Sequence, residues 1–149
     1  MVGALDVANN VLRLSFSDGF DVSPMKLQKL LYFVYKRHIK ETGRPLFSER
    51  FEPWRYGPVL SSVYGAFKRF GTNHINAYYK DCNGDVWLVD EDGDTAFRNS
   101  LHAIWNKYKS HGGIHLSSLT HKKGSAWDVA VQGGHPFLSD TDIAEEEWF

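Results

Sequence analysis

The stretch "SPMKLQKLLYFVYKRHIK", residues 23–40, predicts a long helix. Ser23 is a favourable N-cap residue and Pro24 fits the first helical position, so the helix should begin there. Gly43 and Pro45 are typical stop signals and place its end near Lys40. On a helical wheel, the apolar residues fill one broad face. They are Leu27, Leu30, Leu31, Val34 and Tyr35.

The basic residues of this helix form a second stripe, about 100° wide on the wheel. It contains Lys26, Lys29, Lys36, Arg37 and Lys40, with Phe33 in its middle. Lys26 and Lys29 lie in the first two turns, where the positive end of the helix dipole disfavours cations. A solvated face, a contact surface for an acidic partner and a nucleic-acid surface would each explain the stripe. A net charge of −1 makes nucleic acid the weakest of the three.

The rest of the chain contains further helical patterns. One helix begins near Ala4, and Pro58 is predicted to open a third one. Asp94 is a predicted N-cap for a helix that ends before Gly112 and Gly113. Two short helices should follow, the second capped by Ser125. A last one begins with an S-x-x-D pattern at Ser139.

The extended segments are few and short. Asn83-Gly84 is a preferred two-residue turn, and the residues around it predict a β-hairpin. The segment from Phe51 to Tyr56 should also be extended, because Pro53 and Pro58 each disfavour helix in the residue before them. We therefore expect a mainly α (α+β) fold, a single compact domain over residues 1–149 with about five to six helices and a small β-hairpin or short sheet.

Composition restricts where the protein works. The 149 residues favour one domain. Cys82 is the single cysteine, so no intramolecular disulfide can form and a reducing compartment is expected. The opening "MVGALDVANNVLRLSF" lacks the basic region of a signal peptide. No stretch reaches the roughly 18 apolar residues of a membrane span. We expect a cytoplasmic protein without a membrane partner.

No motif for catalysis or metal binding is present. The seven histidines form no H-E-x-x-H pair, and one cysteine cannot supply a Cys₂His₂ zinc site. The sequence also lacks a nucleophile elbow, a P-loop and a dinucleotide fingerprint. We therefore predict no catalytic residue, no metal and no cofactor.

Two short segments concentrate residues suited to recognition. Trp54, Arg55 and Tyr56 lie between prolines, which suits a binding hot spot, although the two rings could equally wedge two helices together. In "LTHKKGSAW", Thr120, His121 and Trp127 predict either a buried polar clasp or a recognition or catalytic histidine.

Three strings in order resemble a known family. They are "KLQKLLYFVYK", "FEPWRYGPVLSSVYGAFKRFG" and "LSSLTHKKGSAW". Together they are similar to the Panacea-domain antitoxins, also called SocA-like or phage-associated GepA-like proteins. The resemblance runs from about Val7 to Ala130. The W-x-Y-G-P element from Trp54 to Pro58 is specific only in combination with the other strings.

The resemblance implies a function. Such a protein would be the antitoxin of a toxin–antitoxin system and would neutralise a cognate toxin by direct protein–protein binding, without enzyme activity. The alternative is a proteolytic adaptor that delivers the toxin to an ATP-dependent protease. A nucleic-acid-binding regulator is less favoured, because the chain has no room for the added DNA-binding module that some family members carry.

The resemblance also marks site residues by position. The family's characteristic residues here are Lys26, Gln28, Lys29, Tyr32, Trp54, Tyr56, Gly57, Pro58, Thr120, His121 and Trp127. Ala126 departs from the pattern, since proline is common there. Our hypothesis for a partner-binding set, as part of a toxin-binding or a polar core face, comprises Lys26, Lys29, Phe33, Trp54, Arg55 and Tyr56. In the competing account, Lys26 or Lys29 pairs internally with Glu49, Glu52 or the C-terminal acids.

Overall fold

A computed structural model describes residues 2–147. Within that range the chain forms seven α-helices, one 3₁₀ turn (Lys68–Phe70) and one two-stranded antiparallel sheet. The helices are α1 (Ala4–Asp18), α2 (Pro24–Thr42), α3 (Ser61–Phe67), α4 (Thr95–Tyr108), α5 (Gly113–Thr120), α6 (Ala126–Gln132) and α7 (Asp140–Glu145). The strands are β1 (Glu52–Trp54) and β2 (Gly57–Val59). The mainly α class is confirmed.

Helix α2 is the centre of the fold. It packs against α1, α3, α4, α5, α7 and strand β2. It begins as predicted, with the Ser23 hydroxyl accepting from the Lys26 amide at 3.2 Å. It ends at Gly43, whose φ of 72° closes the last turn. Because neighbours surround α2, its positively charged side is covered as well as its apolar face.

The other predicted N-caps are confirmed. Asp94 accepts from the amide of Phe97 at 3.0 Å and begins α4. Ser125 and Ser139 accept in the same way and begin α6 and α7. Each cap acts within three residues of its own position, so the local sequence predicts it well.

The predicted start of the third helix at Pro58 is wrong. Pro58 lies in β2, opposite Pro53 of β1, and α3 begins only at Ser61. The cause is the Gln28 side chain of α2, which accepts from the Leu60 amide at 2.9 Å and donates to the Leu60 carbonyl at 3.0 Å. These two bonds match those of a strand partner and keep the backbone extended up to Leu60.

The predicted hairpin at Asn83-Gly84 is also wrong, since residues 77–90 contain no strand. A turn does form there, but the Asp81 carboxylate organises it. That carboxylate accepts from the amides of Asn83 and Asp85, both at 2.9 Å, and from the Trp87 indole at 2.8 Å.

Buried asparagines of α1 replace the missing strand pairing. Asn9 accepts from the Tyr79 amide at 2.9 Å and donates to the carbonyls of Tyr79 and Trp87. Asn10 accepts from the Val89 amide at 2.8 Å and donates to the Val89 carbonyl at 3.0 Å. The two amide side chains thus satisfy the loop backbone, which otherwise would need a strand partner.

Across residues 2–147, every helix is too short or too polar to cross a lipid bilayer.

Candidate partner-binding site

Three lysines of the basic stripe on α2 are buried, which corrects the predicted partner-facing role of two of them, Lys26 and Lys29. Lys26 is 4% exposed, and Lys29 and Lys36 are each 1% exposed. Phe33, the aromatic residue within the stripe, is buried too and packs against Tyr108. These side chains lie inside the molecule because α4, α5 and α7 cover this side of α2.

Main-chain carbonyl groups bind the lysines instead. Lys26 donates to the carbonyl of Lys109, the residue that ends α4, and Lys40 donates to the Ala144 carbonyl of α7 at 2.7 Å. The last carbonyls of a helix lack partners within that helix and carry the negative end of its dipole. Lys26 and Lys40 therefore act as C-terminal caps for two other helices.

The predicted internal pairing with acidic side chains is found for another residue. Lys36 lies 3.6 Å from the Glu146 carboxylate, which also accepts a hydrogen bond from the Tyr32 hydroxyl. Lys26 and Lys29 pair with none of the predicted acids among the described residues. Glu49 instead accepts from the Ala4 amide at 2.7 Å.

Burial lowers the pKa of these lysines. Desolvation brings the pKa of Lys29 to about 8. The pKa of Lys36 also falls to about 8 because desolvation outweighs the attraction of Glu146. Desolvation lowers the pKa of Lys26 too, against the opposing effect of Asp21. All three ammonium groups thus lie in surroundings that disfavour charge.

Four side chains hold the β1–β2 hairpin by its backbone, and we call them the hairpin clamp: Gln28, Lys29, Ser117 and Trp127. The Trp127 indole donates to the Trp54 carbonyl at 2.6 Å. Ser117 donates to the carbonyl of Tyr56, and Lys29 to that of Pro58 at 2.9 Å. Gln28 binds Leu60 as described above. Each of the carbonyls of residues 54, 56, 58 and 60 thus accepts from one clamp side chain.

Gly57 lies in close contact with the residues that support the hairpin. Its φ is +115°, which favours glycine. A Cβ at this position would lie 2.4 Å from the Thr120 hydroxyl and 3.1 Å from the Lys29 ammonium. Thr120 is itself fully buried and donates to the Ser117 carbonyl at 2.8 Å. Gly57 and Thr120 therefore fix the distance between the hairpin and α5.

His121 lies beside Trp127 and has one ring nitrogen without a hydrogen bond among the described residues. Its ring packs edge-on against Trp127 with centroids 5.5 Å apart. Its Nδ1 atom is buried and has no hydrogen-bond partner among residues 2–147. The clasp predicted for Thr120, His121 and Trp127 differs in detail from the observed one. The Trp127 indole binds the hairpin, and the Thr120 hydroxyl binds α5.

The tip of the hairpin faces outward. Arg55 is exposed and Tyr56 is 55% exposed. The Arg55 guanidinium lies 5.4 Å from the centre of the Tyr56 ring. Trp54 is half-buried and packs edge-on against Tyr64 of α3, with centroids 4.9 Å apart. Of the six residues in the predicted partner-binding set, these three from the hairpin reach the surface.

A groove of about 420 Å³ adjoins the tip, and we call it the hairpin groove. It lies between the start of α2, the hairpin and α3, and Lys29 and Arg55 are its charged lining residues. Its apolar lining includes Met25, Val59, Val63, Tyr64 and Phe67. Neither Ser117 of the clamp nor the α3 side of the groove was predicted from the sequence. An apolar helix face indicates burial, and it does not reveal a gap beside a neighbouring hairpin.

The structure brings histidines together without forming a metal site. The rings of His111 and His115 stack with centroids 5.0 Å apart, although Gly112 and Gly113 separate them in sequence. Within the part of the chain that the structure describes, no three His, Cys, Asp or Glu side chains are arranged to hold a metal ion.

Comparison with known proteins identifies the family of the chain. The family described as "Antitoxin SocA-like, Panacea domain" matches residues 27–128, which include Gln28, the whole hairpin, α3 and Trp127. The chain belongs to this family. It is 32% identical to Antitoxin SocA of Caulobacter vibrioides (strain NA1000 / CB15N) over 135 residues, which are 89% of this chain and 72% of that protein. No solved structure matches the chain significantly.

Proposed function

We propose that this chain is an antitoxin that neutralises a protein toxin by binding it directly, without catalysis. The hairpin tip, with Arg55 and Tyr56, is the centre of the binding surface. Membership of the SocA-like family and the similarity to Antitoxin SocA support the antitoxin role. The observation that supports the location is the hairpin clamp, which fixes the tip by its backbone and leaves its side chains exposed.

A fixed tip suits tight binding for a physical reason. A loop that must become ordered on binding loses conformational entropy, and this loss weakens the complex. Bonds to the carbonyls of Trp54, Tyr56 and Pro58 impose that order before the partner arrives. Exposed tyrosine and arginine are also the residue types that dominate binding energy at interfaces.

Burial of the lysines weighs against the alternative of nucleic-acid binding. That alternative depended on the stripe of α2, and salt-dependent phosphate binding needs accessible cations. Lys26, Lys29 and Lys36 are inside the fold and already bind carbonyl groups.

Co-expression tests the proposal. The adjacent gene in the source genome should inhibit growth when expressed alone, and this chain should restore growth and co-purify with its product. Arg55→Glu and Tyr56→Ala should abolish both effects. Lys80→Glu is the matched control, since Lys80 is exposed and lies in another loop. Restored growth with the two hairpin variants would refute the assigned surface.

Toxin abundance separates blocking from protease delivery. Direct neutralisation predicts equal amounts of toxin with and without this chain in the same cells. Protease delivery predicts that the toxin disappears when the chain is present and returns when the host's ATP-dependent proteases are deleted.

A further inference from the structure

The hairpin groove combines an apolar lining with charge of a single sign. Val59, Val63 and Phe67 contribute buried apolar surface, and Tyr64 contributes a ring that is 45% exposed. Lys29 and Arg55 are the charged lining residues, and among the described residues that line the groove none is acidic. The two cations differ in position, because Lys29 is buried at the base and Arg55 is exposed at the rim.

Arg55 is free to bind an anion. Among residues 2–147 its guanidinium forms neither an ion pair nor a hydrogen bond, and it lies 5.4 Å from the centre of the Tyr56 ring. A guanidinium can bind a carboxylate through two parallel hydrogen bonds. The cation–π contact with the Tyr56 ring favours positions of the guanidinium near the rim of the groove.

Lys29, at the base of the hairpin groove, strengthens the preference of the groove for an anion. It has one hydrogen bond among the described residues, to the Pro58 carbonyl, and no acidic partner. Since the pKa of Lys29 is about 8, most of its amine is protonated at neutral pH. A buried charge in a site of low dielectric acts over a longer distance than an exposed one.

From this charge pattern we infer that the hairpin groove receives a segment of the toxin that carries an apolar side chain next to a carboxylate. The apolar side chain fills the groove between β2 and α3, and the carboxylate pairs with Arg55 at the rim. This inference rests on the proposed antitoxin function. A basic segment is disfavoured because Lys29 and Arg55 would repel it, and a purely apolar segment would supply neither cation with a negative charge.

A small probe tests the chemistry without the toxin. Hydrocinnamate carries a phenyl ring and a carboxylate, and hydrocinnamamide is its neutral counterpart of nearly equal shape. Titration of each into the purified chain is followed by NMR at the Trp54 indole, which is assigned with Trp54→Phe. We expect hydrocinnamate to shift this resonance and to bind about fivefold more tightly than the amide, as for a partly exposed ion pair.

Two variants identify the cation responsible. Arg55→Gln should remove the preference for the carboxylate, and Lys80→Gln should preserve it. Equal binding of the two probes, or the absence of a shift at Trp54, would overturn the inference. The inference would also be overturned if the Trp54 resonance shifted with protein concentration alone and light scattering gave the mass of a dimer. A second copy of the chain would then occupy the groove.

The antitoxin proposal and the proposed carboxylate site in the hairpin groove can be refuted independently. If the carboxylate preference is found and growth is not restored by co-expression, the antitoxin proposal is wrong, and with it the toxin as occupant. If growth is restored and the preference is absent, the antitoxin proposal stands and the carboxylate site is wrong. If both hold, the purified toxin should displace hydrocinnamate from the Trp54 resonance.

Discussion

Replacing Gly57 by alanine tests the close contact on which the hairpin's position depends. Its φ of +115° is unfavourable for a residue with a Cβ, and such backbone strain costs about 1–3 kcal/mol. The new Cβ would also lie 2.4 Å from the Thr120 hydroxyl, a distance that requires a shift of the hairpin or of α5. Overpacking of this kind costs about 1–3 kcal/mol. We expect the free energy of unfolding to fall by about 2–6 kcal/mol in total.

Gly84 provides the matched control. Its φ is +82°, and a Cβ there would have no neighbour within 4 Å. Gly84→Ala should therefore show the backbone strain alone, about 1–2 kcal/mol. The assay is urea unfolding of both variants, followed by tryptophan fluorescence and by circular dichroism. An equal decrease in the free energy of unfolding for Gly57→Ala and Gly84→Ala would refute the close contact at Gly57.

Thr120→Ala separates the contact from the strain. This substitution removes the hydroxyl that a Cβ at Gly57 would meet. In the Thr120→Ala background, Gly57→Ala should cost about 1–2 kcal/mol less than it does in the parent chain. An unchanged cost would mean that Thr120 does not set the distance between the hairpin and α5.

Three further predictions concern buried polar groups. Burial lowers the pKa of Lys29 from 10.5 to about 8. Between these two pH values the unfolded chain binds more protons than the folded one, so the free energy of unfolding rises with pH in this range. Lys29→Met should reduce that rise in urea unfolding compared at about pH 7 and about pH 9.5. Trp127→Phe removes the donor to the Trp54 carbonyl and should lower the unfolding free energy by about 1–3 kcal/mol in calorimetry. Asn9→Ala leaves the Tyr79 backbone without its partner, and hydrogen exchange in residues 77–90 should become about tenfold faster.

Local signals in the sequence predicted most of the helices. Caps at Ser23, Asp94, Ser125 and Ser139 act on amides three residues away, so their effect depends little on the rest of the fold. The errors occurred where a distant side chain replaced a backbone partner. Gln28 keeps the chain extended past Pro58, and the sequence near Pro58 contains no sign of this contact.

The candidate site was predicted only in part, because the contacts that bury its lysines come from distant parts of the chain. A helical wheel indicates which residues share a face, and it does not indicate how many sides of the helix are covered. The charges at Lys26 and Lys29 suggested a surface, yet both amines bind carbonyls inside the fold. Trp54, Arg55 and Tyr56 were found because the flanking prolines and the aromatic rings are visible in the sequence itself.

The side chains that hold the hairpin are different from the exposed side chains at its tip. All four clamp side chains bind backbone groups of the hairpin segment, and every residue type supplies the same carbonyl oxygen. The side chains at Arg55 and Tyr56 can therefore change without loss of these bonds, whereas Gly57 cannot. Family motif residues in the clamp and at Gly57 consequently define the position of the tip. Under the proposed function, the choice of partner then depends on the exposed side chains of the tip and on the charge and shape of the groove beside it.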